Sequence, residues 1–190
     1  MSVISRITMP FAALLLAALM SLCALVAVVA PASAEAKSCA RQNAEPGSTS
    51  TANAEKAVLC LLNKQRGKRD LTKLARHKDL TRPAREHSKL MVDENCFKHV
   101  CPGEAGLGER LADYLANAAG GYGENIAYGG GGSGTPKAIV RSWMKSPGHK
   151  RNILDPDFEH IGIGVVWGAP VANAGSKAGT YTTDFGYREG

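Results

Sequence analysis

The first 34 residues of this chain are far more apolar than the rest, and they restrict which part of it can fold. They hold one charged side chain, Arg6, and a single serine interrupts the apolar run over residues 11–30. The run ends in Pro-Ala-Ser-Ala, a small-residue sequence typical of signal peptide cleavage sites. We therefore expect residues 1–34 to be a signal peptide cleaved after Ala34, so that the mature protein is secreted and extracellular. An uncleaved membrane anchor is the alternative, because about 20 apolar residues span a bilayer.

The rest of the 190-residue chain has the composition of one soluble domain. The full chain is 44% apolar with a net charge of +6, and much of its apolar content lies in the predicted signal peptide. No later stretch approaches the length of a membrane span. A chain of this size can bury one core but is too short for a separate cofactor domain. We expect a flexible leader over residues 35–53 and a single domain that begins near Ala54.

Four cysteines follow the predicted signal peptide: Cys39, Cys60, Cys96 and Cys101. An even number of cysteines in an oxidising compartment predicts two disulfides. Of the three possible pairings, Cys39–Cys60 with Cys96–Cys101 closes the shortest loops and would tie the leader to the first helix. A zinc cluster built from these thiols is the alternative, and the lack of a Cys-x-x-Cys pair disfavours it.

Basic side chains are concentrated in the first half of the predicted domain. Together they could form a face attracted to anionic lipid or wall polymer, although solvated helix surfaces would have the same composition. No aromatic residue lies between Leu62 and Asn95, so the stacking platforms of single-strand binders are missing and we expect no nucleic acid partner. No coiled-coil or repeat pattern is present, so we expect a monomer. The basic residues are Lys64, Arg66, Lys68, Arg69, Lys73, Arg76, Lys78, Arg82 and Arg85.

Helical patterns dominate the first two thirds of the predicted domain. Helices are predicted over residues 54–67, over 79–94 with Asp79 as N-cap, and over 109–117. Thr135 and Pro136 form a good helix start, and that helix is predicted to end near Ser146-Pro147-Gly148.

Strand patterns follow in the last third. Residues 124–128 form a short extended run, and the glycine-rich segment 129–134 is predicted to be a loop. Apolar residues alternate with period two over 161–167 and 181–185, which predicts two paired strands joined by the loop 168–179. Helices first and paired strands last indicate an α+β fold rather than a parallel βαβ sheet.

Three residues beside glycines or prolines, or near a cysteine, are candidates for chemistry: His99, Glu124 and His149. No pair of histidines has metal-ligand spacing on one helix, so a metal site would have to be assembled from separate elements. Histidines that merely close loops are the alternative. Ser146 lies three residues before His149, but no acid nearby could orient the histidine, so a Ser-His triad is not expected.

Six short motifs follow one another in order over residues 54–187. They are His87-Ser88-x-x-Met91, Asn95-x-Phe97-x-His99, Gly123-Glu124-Asn125-Ile126-Ala127, Trp143-Met144-x-Ser146-Pro147-Gly148-His149-x-x-Asn152-Ile153-Leu154, Ile161-Gly162-Ile163-Gly164-Val165 and Tyr181-Thr182-Thr183-Asp184-Phe185-Gly186. This succession resembles the CAP superfamily of cysteine-rich secretory, antigen 5 and pathogenesis-related proteins, in its bacterial secreted branch.

The resemblance implies a single CAP (SCP-like) domain over residues 54–187, folded as a three-layer α-β-α sandwich. It also implies a central cleft with two histidines and two acidic residues, able to hold zinc or another divalent cation. Carried over to this chain, the metal ligands would be His99, His149 and Glu124. The second acid is absent, because its position is occupied by Ser146, and Glu104 or Glu109 would have to replace it.

The function implied by the resemblance is a secreted binding module whose cleft holds a divalent metal and a small or envelope-derived ligand, such as a lipid. A metal-dependent hydrolase of peptides or cell-wall polymers is the alternative, with Glu124 polarising a zinc-bound water. A third interpretation is a structural or partner-binding domain with an empty cleft. The sequence leaves open whether the protein is an enzyme.

Overall fold

The computed structural model describes residues 38–116, 118–171 and 177–189, which fold into a mixture of helices and strands. The predicted signal peptide and the start of the predicted leader lie outside the described residues. The helices are α1 (Thr51–Gly67), α2 (Lys78–Asp93), α3 (Leu107–Arg110), α4 (Ala112–Leu115), α5 (Pro136–Lys145) and α6 (Pro147–Leu154). The strands are β1 (Ala75–Arg76), β2 (Gly120–Gly130), β3 (His160–Trp167) and β4 (Ala178–Arg188), and Gly131–Gly134 forms a 3-10 turn.

The four strands form one sheet in the order β1-β3-β4-β2. β3 and β4 pair antiparallel, as their period-two patterns predict, while β1 runs parallel to β3. Helix α2 packs on one face of β3 and β4, and α1 packs with α5 and α6 on the other side. This arrangement is the predicted α-β-α sandwich.

Strand β3 presents a different surface to each helical layer. Glycines alternate with branched residues, and a Cβ atom at Gly162 or Gly164 would overlap the backbone of α2 at Leu80 or Ala84. The glycines therefore allow α2 to lie directly on the sheet. Ile161 and its alternate neighbours project into the opposite core, whose fully buried members include Val58, Leu62, Trp143, Ile161 and Ile163.

Strand β2 lies at the edge of the sheet, and side chains from the α5–α6 layer cover its outer backbone groups. The Trp143 indole donates a hydrogen bond to the Ile126 carbonyl at 3.1 Å, and the Asn152 amide donates one to the Glu124 carbonyl at 3.1 Å. These bonds satisfy edge carbonyls that would otherwise be open to another strand. They also hold the middle of β2 in place.

The two disulfides have the predicted pairing. Cys39 bonds to Cys60 with their Cα atoms 5.8 Å apart, and Cys96 bonds to Cys101 with their Cα atoms 6.0 Å apart. Cys39 is buried, so the first bridge ties the segment before α1 to the core. Helix α1 begins at Thr51, earlier than Ala54, because the Ser50 side chain caps it.

Two helices differ from the prediction. His77, rather than Asp79, is the N-cap of α2, because its ring nitrogen accepts a bond from the Asp79 amide at 3.2 Å. The single helix predicted over 109–117 is instead two short helices, α3 and α4. They meet at Leu111, and Ala116 ends the second in a left-handed conformation.

The glycine-rich middle is also more ordered than predicted. Strand β2 continues to Gly130, and the rest of the predicted loop forms the 3-10 turn. The helix predicted to end near residues 146–148 ends at Lys145 as α5, and a further helix, α6, begins directly after it at Pro147. Proline fits this first helical position, where its missing N–H is not needed.

The nine basic residues do not share one face. Those of α1 and α2 lie in layers on opposite sides of the sheet. Arg66 is fully buried, and its guanidinium donates to the carbonyls of Ile153, Asp155 and Phe158. Within the described residues no helix is long and apolar enough for a membrane span.

Candidate functional site

Glu124 is the centre of the candidate site, and it projects from the middle of β2 toward the α2 side of the sheet. Its side chain is 1% exposed, and both carboxylate oxygens have partners. Oε1 lies 2.7 Å from Nδ1 of His99, and Oε2 accepts a bond from Arg110 at 2.8 Å. The carboxylate is therefore held in one orientation by two groups from outside the sheet.

His99 lies on the tight loop closed by the Cys96–Cys101 disulfide. Its side chain is 58% exposed although its Nδ1 atom is bonded to buried Glu124. The hydrogen bond from Glu124 raises the pKa of His99 above its ordinary value, although burial and the Arg110 charge oppose the rise. The pair thus presents Nε2 of an oriented imidazole at the protein surface.

A second group of buried side chains supports this pair. Arg110, at the end of α3, donates to Glu124 and also to the His99 carbonyl at 3.0 Å. Glu104 contacts Nδ1 of His87 at 2.7 Å with one oxygen and accepts a bond from the Cys101 amide with the other. Glu104 therefore links α2 to the disulfide loop that carries His99.

Asp184 lies directly opposite Glu124 in the antiparallel pairing of β2 and β4. It is fully buried, and neither of its carboxyl oxygens has a hydrogen-bond donor within the described residues. Burial and the negative charge of Glu124 raise the pKa of Asp184 well above its ordinary value. The protonated form of Asp184 therefore persists to a higher pH than that of an ordinary aspartate.

Glu124 has the opposite electrostatic behaviour. Burial alone would raise its pKa, but the His99 hydrogen bond and the Arg110 charge outweigh burial and lower it. The pKa values of the two carboxyl groups thus shift in opposite directions. Glu124 is bonded to His99 and Arg110, whereas Asp184 makes no such bond within the described residues and the Arg110 charge offsets its burial only in part.

His149 and Ser146 approach the site from the α5–α6 layer. The His149 carbonyl accepts a bond from Asn125 on β2 at 3.1 Å, which holds the start of α6 beside the strand. Burial and the His99 charge lower the pKa of His149, so the two histidines interact electrostatically. Among the described residues, neither the His149 ring nor the Ser146 hydroxyl makes a hydrogen bond to Glu124 or His99.

The predicted metal ligands do not fit a metal ion in this arrangement. Within the described residues no group of three or more histidine, cysteine or acidic side chains is arranged to hold a metal. Both oxygens of Glu124 are occupied by His99 and Arg110, and a cation there would lie against the Arg110 guanidinium. A carboxylate with these partners orients His99 rather than serving as a ligand itself.

Four members of this site were not predicted from the sequence: Asp184, Arg110, His87 and Glu104, which contacts His87 and the Cys101 amide. Asp184 could have been recognised as a candidate from the sequence, because it lies within the period-two run over residues 181–185 of a predicted strand. The pairing register was needed to place the two acids opposite each other. Arg110 and Glu104 lie in irregular segments whose course no local pattern predicts.

Three exposed aromatic side chains lie on the two segments that carry the pair, the disulfide loop and β2. Phe97 and Tyr128 are 41% and 40% exposed, and their ring centroids lie 4.8 Å apart in an edge-to-face contact. Tyr122 is 46% exposed and lies on the same face of β2 as Glu124. The surface around His99 therefore combines one polar ring with apolar contact area.

Comparison with known proteins agrees with this fold and these motifs. The model of the cysteine-rich secretory protein family, CAP, matches residues 59–179. The Bacillus subtilis protein YkwD is 37% identical over 138 residues, which cover 72% of this chain and 50% of YkwD. The chain thus spans about half the length of this relative.

Two solved structures have the same fold. An extracellular protein containing an SCP domain from Bacillus anthracis is 28% identical with a TM-score of 0.56, covering 74% of this chain and 44% of that one. An outer surface protein from Borrelia burgdorferi is 20% identical with a TM-score of 0.62, covering 74% and 97%. From the family match and the shared fold, we conclude that this chain belongs to the cysteine-rich secretory protein (CAP) family.

Proposed function

We propose that this protein is an extracellular binding module whose cleft at His99 takes up a small or envelope-derived ligand. An extracellular location is supported by the two disulfides and by the similarity to the extracellular Bacillus anthracis protein. The observation that carries the binding function is the exposed His99 ring, fixed by a buried carboxylate that is itself fixed by Arg110. Such preorganisation lowers the cost of ordering groups on binding.

The surroundings of His99 indicate the chemistry of the ligand. Because its pKa is raised, the ring is protonated over a wider pH range and can donate from Nε2 to a carboxylate or phosphate. Phe97 on the same loop and Tyr128 on β2 supply exposed apolar area nearby. A ligand with an anionic end and an apolar part, such as a lipid or a wall peptide, matches both features.

The proposal can be tested by NMR titration of the purified protein with two probes, a long-chain fatty acid and muramyl dipeptide. We expect shifts at His99 and Phe97 with at least one probe. His99→Gln and Phe97→Ala should each weaken binding by about tenfold, which corresponds to about 1.4 kcal/mol. The matched control is Val171→Ala, an exposed apolar residue of similar exposure that should leave binding unchanged. Binding that is equal in all three variants would place the ligand elsewhere.

A hydrolase is the second candidate function, because a buried carboxylate that orients an exposed imidazole is the arrangement of a general base. In this case His99, rather than Glu124, would take the proton, since the Glu124 oxygens are buried and bonded and its pKa is lowered. Hydrolysis of peptides or wall fragments should then disappear in His99→Gln. Cleavage that persists in this variant would rule out His99 as the base.

A further inference from the structure

A polar groove of about 690 Å³ lies along α2 where β1 borders it. Its lining residues are Arg76, Lys78, Thr81, Arg82, Arg85 and Glu86, so four cations face one acid and one hydroxyl. Among the described residues, no apolar or aromatic side chain lines it. None of the six lining residues belongs to the His99 site.

Two of the arginines are held in place by a buried carboxylate. Glu55 of α1 is 1% exposed, and it accepts bonds from Nε and Nη2 of Arg85 at 2.8 and 2.7 Å. Arg76 donates to the same carboxylate. Both guanidinium groups are therefore oriented before any ligand arrives. Arg85 is 52% exposed and keeps Nη1 for an external acceptor.

The other two cations, Lys78 and Arg82, are not bonded to buried acids within the described residues. Lys78 is exposed and has no ion pair with any described residue. Arg82 is 52% exposed and contacts Asp113 at 2.5 Å and Glu86 at 3.5 Å, both of which are mostly exposed. Exposed pairs of this kind contribute little to stability, so a stronger anion can displace them.

We propose that this groove binds a linear chain of phosphate groups that carries no bases, such as a polyphosphate or a poly(glycerol phosphate). Guanidinium forks match phosphate oxygens in geometry as well as in charge. Lys78, Arg82 and Arg85 recur along one side of α2 over about 10 Å, so they can contact successive groups of a chain. Of the nine basic residues that the sequence suggested for an anion-binding face, four line this groove.

The residues that line the groove also favour a phosphate chain over two other polyanions, a membrane surface and a single-stranded nucleic acid. A membrane surface would favour a convex patch with apolar side chains that enter the bilayer, and each described residue that lines this groove is charged or carries a hydroxyl. A single-stranded nucleic acid would favour aromatic platforms for its bases, and no described aromatic residue lines the groove.

The experiment is a binding titration of the purified protein with inorganic polyphosphate at about 50 and about 200 mM salt. We expect affinity to fall roughly 20- to 40-fold between these concentrations, as for about three released counterions. Lys78→Ala/Arg82→Ala should weaken binding at least tenfold and flatten the salt dependence. This pair is chosen because Arg76 and Arg85 also neutralise buried Glu55, and their loss would unfold the protein.

The matched control is Lys150→Ala/Arg151→Ala, which removes the same charge from α6 in the opposite helical layer. Equal loss of affinity in the control and test variants would show that only net charge matters and would overturn the proposal that the groove is the binding site. Poly(glycerol phosphate) should bind like polyphosphate. Tighter binding of phosphatidylglycerol vesicles, or of oligo(dT), would overturn the proposal in favour of a membrane or a nucleic acid.

Discussion

Glu124 and Asp184 lie opposite each other on neighbouring strands, both buried, and their pKa values are shifted in opposite directions, that of Glu124 downward and that of Asp184 upward. The difference follows from their partners: Glu124 faces His99 and Arg110, whereas Asp184 faces Glu124. Both strands place these acids on the α2 side of the sheet. The opposite shifts keep Glu124 ionised to a lower pH, and Asp184 protonated to a higher pH, than ordinary carboxyl groups.

Replacing Asp184 with asparagine should remove a pH-dependent destabilisation. The pKa of Asp184 is raised in the folded state, so the wild type loses stability as pH rises above the unfolded value of about 3.9 and until the folded pKa is passed. Asp184→Asn cannot ionise, so its stability relative to the wild type should increase with pH over that window. Denaturant unfolding at several pH values measures the difference. A difference that stays constant between about pH 4 and about pH 8 would show that Asp184 has an ordinary pKa.

Replacing Glu124 with glutamine should lower the pKa of His99. The raised pKa depends first on the hydrogen bond that the His99 ring donates to the Glu124 carboxylate, and a neutral amide stabilises the imidazolium less. NMR titration of the ring measures this change. Arg110 also loses one of its two carboxylate partners but keeps Glu104 at 3.4 Å, so Glu124→Gln should cost about 1–3 kcal/mol of stability.

The two histidines should also report on each other. Burial and the His99 charge lower the pKa of His149, so His99→Gln should raise it. The expected shift is upward but incomplete, because burial is the larger cause. The same NMR titration follows the His149 ring, and an unchanged pKa would show that the two rings do not interact.

Buried Arg66 should be essential for folding, in contrast to neighbouring arginines. Its guanidinium donates to four carbonyls, including that of Thr72, and joins α1 to the segment after α6. Arg66→Met would leave these acceptors without donors, and we expect a loss of about 3–5 kcal/mol. Exposed Arg69 donates to the Gln65 carbonyl, so Arg69→Met should change stability by less than about 0.5 kcal/mol. Equal losses in thermal unfolding would contradict this distinction.

A methyl group at Gly164 should separate α2 from the sheet. Its Cβ would overlap the Ala84 carbonyl, and backbone cannot move aside as a flexible side chain can. We expect Gly164→Ala to cost about 3 kcal/mol. Gly132→Ala is the control, because its Cβ would meet no atom within 4 Å. Similar melting temperatures for the two variants would contradict the tight packing of α2.

Local patterns in the sequence were sufficient to predict the fold class, the main helices and the disulfide pairing. The period-two runs predicted that β3 and β4 pair, because alternation records which face of a strand is buried. The six motifs also selected His99 and Glu124, which do contact each other. The predicted ends of helices were less accurate. Asp79 was predicted as the N-cap of α2, but the ring nitrogen of His77 caps it, and the sequence does not show which of these two side chains accepts the bond.

The class of fold, the order of its elements and two members of the site could thus be predicted from residue patterns along the chain. The folded structure was needed to show that Asp184 faces Glu124, that Arg110 bonds to Glu124, and that Arg66 is buried while Arg82 is exposed. These facts depend on strand register and on how irregular segments cross the sheet. Both are set by contacts between residues far apart in the chain, which local periodicity does not encode.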